Sequence, residues 1–229
     1  MAGIKSILKK SAVVRKLYGI VRYVKNRKIR KIQKNMKLNG VNTVFFIEKL
    51  LTDRVFFYMD MGTMLGIIRE GRLLGHDLDI DVAVYVQNEE DKEAVKTMLL
   101  DAGCTVRYSY AVDSVGVVEQ SFEFHDLKFD VNYYTREGQK DVCYLMYHEP
   151  SVNYTSENEL SVVKLSVDAV TAVKKVPFCG GEVTVPENPE RYLAQRYGEN
   201  WRVPDKNYVY WQGPSTSKTN YKGFRTCGK

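Results

Sequence analysis

The sequence predicts an α+β fold, in which a mixed β-sheet is flanked by helices. Residues 89–102 have an acidic first turn and are followed by Gly103, a pattern typical of a helix. Between residues 105 and 147, short runs of β-branched and aromatic residues alternate with turn residues, which indicates strands joined by hairpins. Strands that follow one another through hairpins suit a mixed or antiparallel sheet.

The composition fits one globular domain preceded by a basic segment. The chain has 229 residues, 44% of them hydrophobic, and a net charge of +6. Residues 1–40 contain 13 Lys and Arg and no acidic residue, so the remainder holds 21 basic against 28 acidic residues, a net charge of −7. We expect a basic N-terminal helix at 1–40, a catalytic domain at 41–211 and a mobile C-terminal tail at 212–229, where Gly, Ser, Thr and Lys are frequent.

The basic segment has the periodicity of an amphipathic helix. Apolar residues recur three or four apart, which favours a helix lying on an anionic membrane surface. Two other interpretations stay open: a helix packed on the domain through its apolar stripe, and a nucleic-acid contact, which the acidic body and the lack of a nucleic-acid-binding module disfavour. The apolar positions are Ile4, Ile7, Leu8, Val14, Leu17, Tyr18, Val21 and Val24.

The sequence contains no predicted membrane span or signal peptide. No run reaches about 18 uninterrupted apolar residues, and the basic segment lacks a compact apolar centre with a cleavage site. The four cysteines are scattered without C-x-x-C pairing, so neither a disulfide framework nor a zinc site is indicated. We therefore predict a cytoplasmic protein, peripheral at the inner face of the membrane.

The remaining elements can be placed from their patterns. The sequence predicts a helix from Val41 to Asp53 and a buried strand from Val55 to Met59. Gly180-Gly181 indicates a hairpin turn. Asn188 as N-cap with Pro189 at the first helical position starts a helix that Gly198 ends. Further strands are predicted at 105–110, 115–124, 127–134 and 142–147.

Asp77, Asp79 and Asp81 alternate with Leu78 and Ile80 and form the most informative motif. On a strand, residues two apart share a face, so the three carboxylates would line up there with the apolar side chains opposite. Like charges this close raise one another's pKa unless a cation lies between them. Carboxylates are hard oxygen ligands, so the motif predicts a site for Mg²⁺ or Mn²⁺.

The residues before this motif suggest phosphate binding. Gly62 permits a tight turn into a helix, whose first N–H groups and positive dipole end can hold a phosphate. Thr63 can cap that helix or offer its hydroxyl to the same phosphate. Arg69 could hold a diphosphate with a bidentate contact or neutralise the aspartates.

Three separated motifs resemble the LicD/fukutin family within the nucleotidyltransferase-fold superfamily. The first runs from Gly62-Thr63 through Leu65-Gly66 and Arg69 to Asp77-Leu-Asp-Ile-Asp81. The second is Phe129-Asp130-Val131, which matches the third carboxylate of the superfamily. The third is the C-terminal series Val185-Pro186, Tyr192-Leu193, Tyr197-Gly198 and Trp201-Arg-Val-Pro204. The resemblance implies a nucleotidyltransferase-like sheet.

The same resemblance implies a function. It indicates a Mg²⁺-dependent enzyme that moves phosphocholine or a polyol phosphate from a CDP-activated donor to a sugar hydroxyl of a glycan or glycolipid. Asp79, Asp81 and Asp130 would be the catalytic and metal-binding residues, and Asp130 would either ligate the metal or accept the proton of the acceptor. Gly62, Thr63, Arg69 and Asp77 would bind substrate. The alternatives are nucleotidyl transfer to a small acceptor and a non-catalytic membrane adaptor.

Overall fold

A single long helix opens the described part of the chain. The computed structural model describes residues 12–228, with side chains from Gly19 onward, and helix α1 runs from Ala12 to Leu51. The sequence predicts one helix within 1–40 and a second from Val41 to Asp53, but the structure joins them without a break. No proline interrupts this stretch, and Gly40 at the predicted boundary stays helical and buried. A Cβ there would lie 2.7 Å from Cδ1 of Leu73, so this glycine permits close packing and does not cap the helix. The predicted positions Ile4, Ile7 and Leu8 lie outside the described residues.

The described residues form four α-helices and ten strands, which confirms the predicted α+β class. The predicted helix after residue 88, the helix after Asn188 and the hairpin at Gly180-Gly181 are all present. After α1 the elements are β1 (Phe57–Met59), α2 (Met61–Glu70), β2 (Ile80–Tyr85), α3 (Glu89–Asp101), β3 (Thr105–Val112), β4 (Gly116–Phe124), β5 (Leu127–Glu137), β6 (Lys140–Tyr147), β7 (Glu159–Asp168), β8 (Val173–Phe178), β9 (Gly181–Pro186), α4 (Pro189–Tyr197) and β10 (Thr216–Cys227).

Eight of the strands belong to one mixed sheet. Their order is β1-β2-β5-β4-β3-β10-β7-β6, and β2 and β5 are parallel while the other neighbours are antiparallel. β5 also pairs with β6 at Thr135–Glu137. This pairing closes a ring of six strands in the order β5, β4, β3, β10, β7 and β6, and the ring has a small apolar cluster of its own. β8 and β9 form a separate hairpin.

The C-terminal segment differs from its prediction. The sequence predicts a mobile tail from Gln212, but Thr216–Cys227 form β10 between β3 and β7. Most β10 side chains are exposed, so the strand lacks the apolar alternation that signals a strand in a sequence. Backbone hydrogen bonds to two neighbours hold it in place, and these do not depend on side-chain type.

From Gly19 onward, helix α1 packs on the body through its C-terminal half. Val44, Ile47 and Leu51 are fully buried, and Phe46 stacks on Phe124 with 3.7 Å between ring centroids. Buried Glu48 accepts hydrogen bonds from the backbone N–H (2.9 Å) and hydroxyl (2.6 Å) of Thr184 and pairs with Lys175. This polar contact fastens α1 to the β8–β9 hairpin.

The part of α1 from Gly19 to Lys28 is exposed to solvent. The side chains from Gly19 to Lys28 are all exposed, including Ile20 (53%), Val21 (66%) and Val24 (58%). The alternative interpretation, a helix packed on the domain through its apolar stripe, therefore does not hold for residues 19–28. In residues 12–228, no helix combines the length and the apolar character that crossing a membrane demands.

Candidate active site

Asp81 and Asp130 lie side by side on two neighbouring parallel strands. The register of β2 and β5 pairs Asp81 with Asp130, so both side chains project from the same face of the sheet. Asp79 lies two residues before Asp81 and is not in the strand, which begins at Ile80. The prediction of a three-aspartate row along one strand is therefore wrong for Asp77 and Asp79, which lie in the loop that leads into β2. Ile80, the first residue of β2, is fully buried and anchors the end of that loop to the core.

Lys128 joins two of these carboxylates. Its Nζ lies 2.8 Å from Oδ2 of Asp79 and 2.6 Å from Oδ2 of Asp130, and the hydroxyl of Ser121 donates to Oδ1 of Asp130 at 2.5 Å. Burial acts to lower the pKa of Lys128, but the charges of Asp130 and Asp79 outweigh it and raise the pKa above its ordinary value. The sequence analysis missed Lys128, because a lysine at the start of a strand is ordinarily a solvated residue.

The local environment disfavours several negative charges at once. Burial, followed by the charges of Asp79 and Asp130, raises the pKa of Asp81 well above its ordinary value. Burial also raises the pKa of Asp130, which Lys128 partly offsets. Burial and neighbouring carboxylates both raise a carboxyl pKa, so these side chains resist carrying their negative charges at the same time.

Glu119 is a fourth acidic residue on this face, and the sequence analysis missed it too. It lies on β4, directly across from Asn132, two residues along β5 from Asp130. Burial and the charge of Asp130 raise the pKa of Glu119 to about 8. Asn132 is 3% exposed, and its Nδ2 has no hydrogen-bond partner in the described part of the chain. Glu119 and Asn132 therefore add a carboxyl group and a buried amide to the same face of the sheet as Asp130.

The turn into α2 differs from its prediction in detail. The left-handed residue is Met61 (φ 47°) rather than Gly62, and the N-cap of α2 is Asp60 rather than Thr63. A Cβ at position 62 would lie 3.0 Å from Oδ2 of Asp77, so the glycine leaves room for that carboxylate to pack closely. Thr63 Oγ1 accepts a hydrogen bond from the backbone N–H of Asp81 (2.9 Å), which fixes the start of β2 against α2.

Asp77 therefore packs at the N-terminal end of α2. Burial is the main cause that raises its pKa to about 6, and protonated His76 would act in the opposite direction. The Nε2 atom of exposed His76 lies 3.8 Å from Oδ1 of Asp77. The contact with Gly62 places Asp77 beside the first turn of α2, apart from the Asp81–Asp130 pair.

Asp60 is the centre of a buried polar cluster that the sequence analysis did not identify. Its side chain is fully buried and does not cap α2. Instead, its two oxygens accept hydrogen bonds from Tyr134 (2.8 Å) and Tyr192 (2.8 Å), and its backbone N–H donates to the carbonyl of Asp81 (3.0 Å). This cluster connects α2, β2, β5 and α4 and so holds the carboxylate pair in a fixed frame.

Arg69 lies at the edge of the site. Its guanidinium is bonded to Glu70 at 3.0 Å and reaches the carbonyl of Trp201 at 3.4 Å. Its charge has only a minor influence on Asp77. Glu70 also pairs with the exposed Arg72. As placed, Arg69 therefore fastens α2 to the segment after α4.

The carboxylate oxygens of Asp79, Asp81 and Asp130 are suitable ligands for a hard divalent cation. As placed, however, the described side chains do not surround a common metal position. In residues 12–228, no group of three His, Cys, Asp or Glu side chains is placed to hold a metal ion. The Lys128 ammonium lies between two of the carboxylates that the sequence nominates. Metal binding at Asp79 and Asp130 would require that ammonium to move aside.

A cleft of about 710 Å³ lies elsewhere, between the β5–β6 turn, the loop after β7 and the start of α4. Its lining includes Lys140, Asp168, Arg191 and Gln195, and none of the carboxylates at positions 79, 81 and 130. Lys140 and Arg191 already pair with Asp168. We place the candidate active site at the acidic residues and not at this cleft, because the perturbed acids converge there.

Strands β2 and β5 are parallel, each carries a carboxylate, and helix α2 precedes β2 in the chain. This arrangement defines a domain of the nucleotidyltransferase class. Residues 54–188 match the family described as LicD/FKTN/FKRP, nucleotidyltransferase domain, and the chain belongs to this family. The match contains the residues at positions 62, 63, 69, 77, 79, 81 and 130.

Two curated proteins are similar to the chain. Both are named Ribitol-5-phosphate transferase FKTN, one from Homo sapiens and one from Macaca fascicularis, and each is 23% identical over 172 residues. The alignment covers 72% of this chain and 33% of each relative, so the chain spans about a third of their length.

Proposed function

We propose that the chain is a phosphotransferase that moves a phospho-alcohol group, such as a polyol phosphate or phosphocholine, from a CDP-activated donor to a sugar hydroxyl of a glycan or glycolipid. The observation that carries the proposal is the pairing of Asp81 with Asp130 on parallel strands, within a domain of this family. The name of the two relatives, Ribitol-5-phosphate transferase FKTN, supports a polyol phosphate as the transferred group.

Asp79, Asp81 and Asp130 would hold Mg²⁺ or Mn²⁺. When bound, such an ion stabilises the negative charge that develops on a transferred phosphoryl group and on a leaving nucleotide. The raised pKa of Asp81 supports this assignment, because a cation beside it would relieve the repulsion among the carboxylates. Asp130 has the second possible role of accepting the proton of the acceptor hydroxyl.

The remaining predicted residues would serve the substrates. The backbone N–H groups of Gly62 and Thr63 at the start of α2 would face the donor phosphates. Arg69 would contribute positive charge, and Asp77 would lie on the acceptor side. These assignments rest on two observations. Helix α2 precedes the carboxylates in the chain, and the hydrogen bond from Asp81 N–H to Thr63 Oγ1 holds its first turn next to them.

The exposed half of α1 would hold the protein at an anionic membrane. Ile20, Val21 and Val24 are exposed on a segment that also carries Arg22, Lys25, Arg27 and Lys28. Each basic residue near such a surface contributes about 1 kcal/mol. We expect flotation with vesicles that contain anionic lipid and not with neutral vesicles, and expect Val21→Asp with Val24→Asp to abolish it. Equal flotation of the double variant would contradict the proposal.

A thermal-shift screen tests the donor class. A ligand that binds only the folded state raises the unfolding temperature. We expect CDP-ribitol or CDP-choline to stabilise the protein in the presence of Mg²⁺, and expect ATP and GTP to have little effect. Stabilisation by nucleoside triphosphates alone, with pyrophosphate rather than CMP as the product, would instead identify a nucleotidyltransferase.

A further inference from the structure

The cleft between the β5–β6 turn, the loop after β7 and the start of α4 adjoins a second cleft. The second cleft has a volume of about 680 Å³ and follows α4 toward the C-terminal end of that helix. We refer to the two clefts together as the α4 groove, and each has the volume of an ordinary ligand site. They share four lining residues, Lys140, Asp168, Arg191 and Gln195.

The ionic side chains of the α4 groove balance one another. At its centre, Asp168 accepts hydrogen bonds from Nζ of Lys140 (2.7 Å), Nη2 of Arg191 (2.6 Å) and the amide of Gln195 (2.8 Å). Because neither sign of charge is in excess, the groove favours an uncharged ligand over a phosphate or a cation. Among residues 12–228, its lining contains three basic residues, Arg136, Lys140 and Arg191, and three acidic ones, Asp168, Glu187 and Glu199.

The groove also has hydrogen-bonding capacity to spare. An ammonium carries three N–H donors and a guanidinium five, and the bonds of Lys140 and Arg191 to Asp168 use one donor of each. Asn188 is exposed at the start of α4, and within residues 12–228 its side chain makes no capping bond. The amide of Asn188 therefore offers both donors and an acceptor to a ligand. These groups suit a compound that is rich in hydroxyl groups.

The groove and the carboxylates lie toward opposite ends of β5. Arg136, which lines the groove, is six residues beyond Asp130 on this strand. At about 3.3 Å per residue, the two positions are roughly 20 Å apart along the strand. Tyr192 connects the two regions, because it lines the groove and its hydroxyl donates to Asp60, whose backbone N–H donates to the carbonyl of Asp81. A ligand in the groove reaches the carboxylates only if it is extended.

We propose that the α4 groove binds the acceptor glycan through sugar units remote from the hydroxyl that reacts. An oligosaccharide is uncharged, rich in hydroxyl groups and extended. These properties match the charge balance, the hydrogen-bonding capacity and the position of the groove. The proposal rests on the proposed function for the role of the glycan as acceptor.

Binding of oligosaccharides to the full chain, without a donor, tests the groove. An array of immobilised oligosaccharides of different lengths identifies the strongest ligand, and titration calorimetry measures its affinity. Thr171 is exposed and lines the groove, so an indole there would fill ligand space without disturbing the core. We expect Thr171→Trp to weaken binding at least about tenfold. Thr97→Trp, exposed on α3 and outside both linings, should bind as the wild type does.

Asn188→Ala is a second variant, for use if Thr171→Trp does not fold. We expect it to weaken binding roughly three- to tenfold, because one hydrogen bond to the ligand is lost. The affinity of the wild type should be nearly the same at roughly 50 and 500 mM NaCl, since salt screens only charge interactions.

Three results would overturn the proposal. The first is the absence of binding to every oligosaccharide on the array. The second is unchanged affinity in Thr171→Trp, or in Asn188→Ala where the Trp variant does not fold. The third is a marked loss of affinity at high salt, which would identify an ionic ligand.

The outcome is separable from that of the proposed function, because oligosaccharide binding needs no turnover. Oligosaccharide binding that Thr171→Trp abolishes, in a protein that releases no CMP from CDP-alcohols, would support the groove and refute the reaction. If the protein does turn over, Thr171→Trp should raise the KM for a long acceptor and leave kcat and the KM for the donor unchanged. An unchanged KM for the acceptor would support the reaction and refute the groove.

Discussion

Asp81 of β2 and Asp130 of β5 occupy the same level of two adjacent parallel strands and face the same side of the sheet. Strand register fixes this relationship, so it does not depend on a flexible loop. Among residues 12–228, Lys128 and Ser121 are the side chains that contact the Asp130 carboxylate directly and offset its charge. We expect repulsion between the Asp81 and Asp130 carboxylates to lower the free energy of unfolding of the metal-free protein at neutral pH.

Removing one charge of the pair should stabilise the metal-free protein. We expect Asp81→Asn to raise the unfolding temperature at pH 8 by roughly 2–4 °C, which corresponds to about 1 kcal/mol for a chain of this size. The same variant should lose the stabilisation that Mg²⁺ gives the wild type. Differential scanning calorimetry with and without Mg²⁺ measures both effects, and Asp101→Asn on the exposed end of α3 is the control.

The pKa of Glu119 predicts how stability depends on pH. The pKa rises from an ordinary 4.5 to about 8 on folding, so the folded protein binds the proton more tightly than the unfolded chain does. Stability should therefore fall as the pH rises from about 4.5 to 8 and change no further above that range. Glu119→Gln should flatten this dependence in denaturant titrations, whereas Glu90→Gln at an exposed position should leave it intact. A wild-type stability that rises over the same interval would contradict the assignment.

Lys128 competes with any cation for Asp79 and Asp130. Lys128→Met should tighten Mg²⁺ binding about tenfold, because one positive charge leaves the immediate surroundings. Without metal, the variant should unfold more easily by about 1 kcal/mol, since a partly exposed ion pair contributes little more than that. Isothermal titration with Mg²⁺ checks the first effect, with Lys140→Met as the matched control. Weaker Mg²⁺ binding would show that the ammonium supports the metal and does not displace it.

Glu48 should be the strongest single polar contact between α1 and the rest of the domain. Glu48→Ala leaves the backbone and hydroxyl donors of Thr184 buried without an acceptor, and we expect it to cost about 2–4 kcal/mol of unfolding free energy. Glu190→Ala breaks an exposed pair with Arg202 and should cost less than about 1 kcal/mol. Urea titrations of both variants give the comparison.

Much of the fold was predictable because its signals are local. The helix over 89–101 has an acidic first turn, and the strands from 105 to 147 carry alternating apolar residues joined by turns. β10 was not predictable, because its neighbours in the sheet, and not its own side chains, stabilise it. The continuity of α1 was missed because a change of composition near residue 40 was interpreted as a boundary.

The candidate site was predictable only in part, for a similar reason. The alternation of Asp77, Asp79 and Asp81 is visible in the sequence, although only Asp81 lies in the strand. Glu119, Lys128 and Asp60 acquire their significance from burial and from neighbours distant in the chain, which no local pattern reveals. A charged residue within an otherwise apolar run, as Asp60 is after Phe-Phe-Tyr-Met, is the one signal that could have indicated a buried polar centre.

Catalysis by Asp79, Asp81 and Asp130 is the central claim. The most direct test is to measure the release of CMP from a CDP-alcohol in the presence of Mg²⁺ and a sugar acceptor. We predict CMP release by the wild type and by Asp101→Asn. We predict a rate at least about 100-fold lower in Asp79→Asn, Asp81→Asn and Asp130→Asn, with each variant folded by circular dichroism. CMP release at the wild-type rate from Asp81→Asn or Asp130→Asn would contradict the account.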